Sequence, residues 1–365
     1  MNLLYFTNIP SPYRVEFFNQ INEKCETTVL FNYDKNEKYR NSKWYEQNNY
    51  KFNCINVKRF GLFQLNKILK EKDYDNVVIG TYASINAALL IFLLKIKKIK
   101  FFINADGGII PEKETFISKF LKKFFISKAD FYLSSGNETN KYLTYYGAEE
   151  KKIYIYSFSS LKKEDILLEP ITYSKKIELR KKMGYDYKKV FISVGSFIYR
   201  KGYDIFLNSI KNLKNDDVCF IIIGGGTEKE KYLNFIKENE IKNVFLIDFC
   251  SKDEVFEFYK MSDIFFFPSR EDIWGLVINE AMACGLPIIS SDKVVSSKEL
   301  LAKNSIYDCY NEKELLNKIE NYISKNENDL FLEGLDNINR IKNYTIENMV
   351  SEHINIFNKT NSQKK

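Results

Sequence analysis

Two doubly wound α/β domains are what this sequence predicts, and three observations predict them. First, 365 residues that are 45% hydrophobic and 16% aromatic exceed one ordinary domain and supply enough apolar side chains for sizeable cores. Second, short apolar runs alternate with segments of helical period, the signature of parallel sheets covered on both faces. Third, the alternation stops at a polar stretch, Ser157 to Ser174, and then starts again.

In the first series the strands are expected at Leu3–Thr7, Thr28–Phe31, Asn76–Gly80, Lys100–Asn104, Phe131–Ser134 and Lys152–Tyr156. Helices such as Arg14–Glu23, Ser84–Leu94 and Asn137–Tyr146 fit between them. The second series places strands at Val190–Val194, Val218–Ile223, Val244–Ile247, Ile264–Pro268 and Pro287–Ser290. A last helical segment, Thr345–Phe357, lies beyond both series. The expected division is a first domain over 1–165, a second over 166–344, and a helix over 345–365 that packs back on the first. Two such domains are expected to face each other across a cleft, with ligands at the carboxyl ends of the strands.

Composition removes several kinds of chemistry. The chain has one histidine, His353, which argues against His-based nucleophile triads and zinc sites, since these need more than one His or a His near the nucleophile. The six cysteines (Cys25, Cys54, Cys219, Cys250, Cys284, Cys309) form no C-x-x-C pair and read as reduced thiols, which suits the cytoplasm. Met1–Phe6 runs directly into Asn8, Pro10 and Pro12, unlike a signal peptide. The longest apolar run, Ala83 to Leu94, is too short to span a bilayer, so the expectation is a soluble or peripheral protein.

The formal charge of +7 is not evenly spread. Before Pro170 there are 26 basic and 19 acidic residues, and after it 29 of each, so the excess belongs to the first half. Within that half, Glu114–Lys128 puts Phe116, Ile117, Phe120, Leu121, Phe124 and Phe125 on one helical face beside Lys119, Lys122, Lys123 and Lys128. Two readings stand: a core helix with a solvated lysine face, or a helix lying on an anionic membrane surface. Nucleic acid is not expected, since no helix-turn-helix, RNP-type or Arg-rich pattern accompanies the charge.

The second series holds the informative loops. The strand Val190–Val194 runs into Gly195-Ser196-Phe197-Ile198-Tyr199-Arg200-Lys201-Gly202 and then a helix, an arrangement suited to a phosphate. Its spacing is not that of the P-loop, so ATP hydrolysis is not indicated. Further on, Pro268-Ser269-Arg270-Glu271-Asp272-Ile273-Trp274-Gly275-Leu276-Val277-Ile278-Asn279-Glu280 joins a strand to a helix, with Asp272 and Glu280 eight residues apart. Taken alone, these acids are explained as helix caps. With the two adjacent cations in the same domain, a ligand site is the better reading.

These motifs resemble the retaining glycosyltransferases of family four, which have the two-Rossmann GT-B fold. The resemblance covers nearly the whole chain: Asn8–Arg14, Asp106-Gly107-Gly108, Gly195 to Gly202, Gly224–Gly226, and the block ending in Glu280-Ala281-Met282-Ala283-Cys284-Gly285-Leu286-Pro287. It implies that Arg200 and Lys201 neutralise a donor diphosphate in place of a metal ion, with Gly195 and Ser196 lining the same loop. It also implies that Glu280 binds the nucleotide ribose and that Asp272 contacts hydroxyls of the transferred sugar. Gly275, Leu276 and Val277 would supply backbone donors, and Phe249, Cys250 and Ser251 would meet the base. Asp106 would face the anomeric centre from the acceptor half. Three positions depart from the family: Asp272 stands where Glu is common, Ser196 where many have Arg, and Asp106 where many have His.

The resemblance further implies a sugar moved from a nucleotide-diphosphate donor, UDP-linked by preference and GDP-linked as the other candidate, to a glycan acceptor, lipid-linked, in surface polysaccharide assembly. No metal or other cofactor is implied. Competing readings fit less well. Asp73-Tyr74-Asp75 precedes its apolar run Val77–Ile79, whereas a metal-dependent transferase needs Asp-x-Asp after one. Gly224-Gly225-Gly226 is followed by Thr227-Glu228-Lys229, not by the dinucleotide fingerprint. A non-catalytic glycosyltransferase-like subunit is the remaining alternative, and the presence of Asp272, Glu280, Arg200 and Lys201 argues against it.

Overall fold

The computed structural model describes residues 1–32, 49–56, 61–82 and 84–362. The chain divides into two compact units, Met1–Ser160 with Tyr344–Lys365, and Leu161–Asn343.

The first unit is built on a parallel sheet of seven strands in the order β3-β2-β1-β4-β5-β6-β7. They are β1 (Asn2–Thr7), β2 (Glu26–Phe31), β3 (Asn53–Asn56), β4 (Asn76–Ile79), β5 (Phe102–Ala105), β6 (Phe131–Ser134) and β7 (Ile153–Ile155). Central strands are buried over their whole length, which is why they read as unbroken apolar runs instead of alternating ones. Tyr5 of β1 sits in register between Val29 of β2 and Val78 of β4, where the strand order reverses. Sequence reading missed β3: Asn-Cys-Ile-Asn is a four-residue edge strand, only half buried, and too short and polar to carry a periodic signal.

Helices α1 (Pro12–Asn22), α2 (Leu62–Glu71), α3 (Ile85–Ile96), α4 (Phe116–Ile126) and α5 (Asn137–Tyr145) connect the described strands. Pro12 opens α1, where its missing N–H costs nothing, and the Ser84 side chain caps α3 by accepting from Ala87 N at 3.1 Å. The α4 helix is not a core element. Phe116 is 83% exposed, and Ile117, Phe120, Leu121 and Phe124 are exposed with it, while Ile126 is buried. Ile126 and Phe125 tie the end of α4 to the core, and polar contacts hold the rest: Glu114 accepts from Ser118 Oγ at 2.8 Å and Tyr146 OH at 2.7 Å, and pairs with Lys122 at 2.7 Å.

The second unit carries a six-stranded parallel sheet in the order β10-β9-β8-β11-β12-β13. Its strands are β8 (Lys189–Val194), β9 (Val218–Ile223), β10 (Val244–Ile247), β11 (Ile264–Phe267), β12 (Ile288–Ser291) and β13 (Ile306–Tyr307). The two-residue β13 also escaped the sequence reading. The helices of this unit are α6 (Tyr173–Met183), α7 (Tyr203–Ile210), α8 (Lys229–Glu238), α9 (Lys252–Met261), α10 (Leu276–Ala283), α11 (Val295–Leu300), α12 (Glu312–Ser324) and α13 (Glu327–Ile341). Strand order reverses at β8, between β9 and β11, so the crevice for a ligand is expected between the loops that follow β8 and β11. At the opposite edge a buried Arg180–Asp263 pair ties the unit together. Arg180 also donates to the carbonyls of Met261 and Lys188 at 2.8 Å, and Asp263 accepts from Val190 N.

The last helix, α14 (Ile346–Ser362), returns to the first unit and packs on α1. Its buried His353 ring lies 4.5 Å from Tyr156 and 4.9 Å from Phe17, and Phe357 meets Phe102 at 5.3 Å. The His353 Nδ1 donates to Met349 O at 2.7 Å. Burial pushes the imidazole down to about 4, against the smaller opposing effects of that hydrogen bond and of Asp106. The unfolded chain, with its ordinary histidine near pH 6.5, therefore takes up a proton before the native state does, and stability falls as pH drops through that interval. Urea unfolding at pH 7 and pH 5 should show the wild type losing about 2 kcal/mol more than His353→Gln over that step.

Candidate active site

Loops from the carboxyl edge of the second sheet meet backbone to backbone. Gly195 leaves β8, and its N–H donates to Ile223 O at 2.9 Å. A Cβ on Gly224 would stand 2.0 Å from Gly195 O, and one on Gly202 2.0 Å from Pro268 O, so neither position admits a side chain. Gly202 also has φ +70°, the left-handed region, which ends the short Tyr199–Lys201 turn and starts α7. The two adjacent cations are thereby held on a turn pressed against the loop that follows β11.

That loop engages both. Arg200 donates from Nη1 to Glu271 O at 2.6 Å, and Arg270 N donates back to Arg200 O at 2.8 Å. Lys201 Nζ lies 2.5 Å from Asp272 Oδ2 and 4.6 Å above the Phe267 ring. Lys201 is 9% exposed, and burial pushes its ammonium below the usual lysine range while Asp272 pulls the other way. Thus Asp272, assigned to the sugar from sequence, is in this structure the counter-ion of Lys201. Its main chain is fixed as well, donating to Lys293 O at 3.1 Å and accepting from Val295 N at 3.1 Å.

Gly275 sits at φ +92° as the N-cap of α10, and the first-turn amides of Leu276 and Val277 follow it. Helix geometry leaves such amides without intrahelical acceptors, so the turn offers donors and a positive dipole end to an anion. Trp274 is buried behind this turn, its Nε1 donating to Asn279 Oδ1 at 3.1 Å. One turn further along α10, Glu280 accepts from Tyr259 OH at 3.4 Å. Burial and the neighbouring Glu280 hold the Tyr259 phenol well above its usual range, so it stays protonated and can donate to the carboxylate. Sequence reading did not single out Tyr259, because its partner is 21 residues away on a different element.

The loop after β10 makes contacts of its own. Ser251 caps α9 and forms a reciprocal box with Glu254, accepting from its N–H and donating to its carboxylate at 2.8 Å. Cys250 Sγ rests 3.4 Å from Asp248 O, and burial raises its thiol. Phe249 is exposed.

In the first unit Asp106 follows β5 and is held from three directions. Asn104 Nδ2 and Tyr156 OH donate to Oδ1 at 2.7 and 2.6 Å, and Arg14 of α1 pairs with Oδ2. This cradle of Arg14 and Tyr156 was not anticipated either, although Arg14 lies in the Asn8–Arg14 motif. A small cavity beside it is lined by Tyr5, Tyr13, Asp106, Phe158 and His353. Gly108 is required for packing, since a Cβ there would be 2.5 Å from the Tyr142 ring. Among the described residues no three His, Cys, Asp or Glu side chains gather as a metal site would need.

Residues 175–333, the bulk of the second unit, match the family described as glycosyl transferases group 1, and that unit is a domain of this family. Over 98 residues the chain is 36% identical to an uncharacterized glycosyltransferase of Methanocaldococcus jannaschii, covering 27% of each chain. Over 101 residues it is 31% identical to the O-antigen biosynthesis glycosyltransferase WclY of Escherichia coli, covering 27% of this chain and 28% of that one. The alignments thus span about a quarter of these relatives' length. The fold is shared far more widely. The Anabaena protein Alr3699/HepE, solved in complex with UDP, superposes with a TM-score of 0.78 at 15% identity over 99% of this chain and 100% of that one. Both units are therefore Rossmann-like domains of the GT-B type.

Since the turn bearing Arg200 and Lys201 rests on Pro268 through Gly202, Gly202→Ala should lower the unfolding free energy by about 2 kcal/mol or more, measured by urea denaturation.

Proposed function

We propose that this chain is a retaining glycosyltransferase that moves a sugar from a nucleotide-diphosphate donor, UDP-linked by preference and GDP-linked otherwise, to a glycan acceptor. The observation that carries the reading is the convergence of Arg200, Lys201, the α10 first turn, Asp272 and Glu280 at one edge of the second sheet, where strand order reverses. Breaking the bond between sugar and diphosphate leaves growing negative charge on phosphate and cationic character on the ring. Fixed cations and helix amides stabilise the first, by several kcal/mol where water is scarce, and carboxylates stabilise the second.

In this reading Lys201 and Arg200 take the diphosphate, and Leu276 and Val277 donate to it behind Gly275. Glu280, oriented by Tyr259, takes the ribose hydroxyls. Lys201 arrives already paired with Asp272, so its exchange of partner toward phosphate frees the carboxylate for sugar hydroxyls. Gly195 and Ser196 border the phosphates, and the Phe249 to Ser251 loop borders the base. Asp106, positioned by Arg14 and Tyr156, serves the acceptor's half of the reaction. The leaving phosphate helps to deprotonate the acceptor hydroxyl on the same face, which requires neither a protein nucleophile nor a metal ion.

The exposed face of α4 supports a lipid-linked acceptor, used for surface polysaccharide at the inner face of the cell membrane. Its exposed Phe116, Ile117, Phe120, Leu121 and Phe124 stand beside Lys119, Lys123 and Lys128, a pairing of apolar and cationic groups that suits an anionic membrane surface. No described helix is long and apolar enough to cross a membrane, so contact of this kind is at the surface.

Two measurements test the reading. With a panel of UDP- and GDP-sugars, Lys201→Ala and Glu280→Ala should each lower turnover about 100-fold or more, and EDTA should leave the wild-type rate in place. Near-normal activity in both variants would refute the site, and donor binding without transfer would favour the non-catalytic subunit. In co-sedimentation at low salt, wild-type protein should bind vesicles containing anionic lipid, and Phe116→Ser with Phe120→Ser should release it.

A further inference from the structure

We propose that Arg270 is a positioning residue for the diphosphate, acting with Asp204 as a clamp on the turn that carries Arg200 and Lys201. The proposal rests on the donor-site reading above and adds to it a pair of residues that touch no substrate.

The geometry is specific. Both Nη atoms of Arg270 reach Asp204, one to each carboxylate oxygen, at 2.7 Å. Nη1 also donates to Tyr199 O at 2.7 Å, and the guanidinium carbon lies 3.9 Å from the centre of the Tyr199 ring. The main-chain N–H of Arg270 donates to Arg200 O at 2.8 Å, and the Ser269 hydroxyl donates to the same oxygen at 3.2 Å. Residues 199 and 204 flank the two cations in the sequence, so one guanidinium fixes the segment on both sides.

The clamp spans the point that matters most for an anion. It joins the loop after β8, which bears the cations, to the loop after β11, which leads into the N-terminus of α10. The separation of those loops sets whether one diphosphate meets both sets of donors. Asp204 also neutralises Arg270, so the charge presented to phosphate remains that of Arg200 and Lys201. The Arg270 side chain is 11% exposed, enclosed by the groups it binds. A lysine supplies the charge but not the planar fork, and so loses the two-point pairing with Asp204.

Calorimetric titration of the full chain with UDP and with UMP separates this role from general support of the fold. Arg270→Gln and Arg270→Lys should weaken UDP binding about tenfold or more and UMP binding less than about threefold, with Asp204→Asn giving the same selective loss from the other side of the pair. In a Lys201→Ala background, Arg270→Gln should cost clearly less than the roughly tenfold loss it causes in the wild type, because one of the two cations it positions is already gone. Unchanged UDP affinity in the Arg270 and Asp204 variants, equal loss for UDP and UMP, or additive loss in the double variant would each overturn the clamp. If wild-type protein fails to bind UDP and GDP, or Lys201→Ala binds UDP as well as wild type, the donor-site reading itself fails and takes the clamp with it.

Discussion

Backbone contact between loops is the constraint on which the rest of the candidate site in the second unit depends. At the carboxyl edge of the second sheet, Gly224 lies against the carbonyl of Gly195, and Gly202 against that of Pro268, with no space for a Cβ at either. A side chain at either position would push these loops apart. That closeness brings Arg200 and Lys201 against Asp272, a few residues before the N-terminus of α10, on a sheet whose opposite edge is locked by the buried Arg180–Asp263 pair.

Crowding of charge has a cost, and the structure answers it by pairing. Lys201 is nearly enclosed, and an unpaired ammonium there would be strongly disfavoured, so Asp272 accompanies it. Arg270, in turn, is matched by Asp204 with two-point geometry. The site is therefore not a row of independent side chains but a set of ion pairs. The first unit shows the same economy of unpaired charge around Asp106, which Arg14, Asn104 and Tyr156 hold in place.

Most of the fold was readable because parallel strands buried on both faces leave runs such as Val218–Ile223, and because those runs alternate with helices. Expected strand ends shifted by a residue or two, as with Lys100–Asn104 against the observed Phe102–Ala105. The strands Asn53–Asn56 and Ile306–Tyr307 were not legible, since edge position removes the apolar requirement and shortness removes the period. In the same way α4 was ambiguous: an amphipathic pattern states that a face is apolar but not what covers it, and its aromatic face is exposed.

The sequence by itself determined the class of fold, the two cations, the acid pair and the glycines, because each is a local pattern whose chemistry depends on residue type and spacing. Its single histidine and its basic first half were likewise visible from composition. Only the tertiary structure decided who partners whom. Lys201 with Asp272, Arg270 with Asp204, Glu280 with Tyr259 and Asp106 with Arg14 join residues between 21 and 92 positions apart. Such pairs leave no periodic trace in one chain, for their distance is set by which strands lie side by side and by how closely glycines let the loops approach.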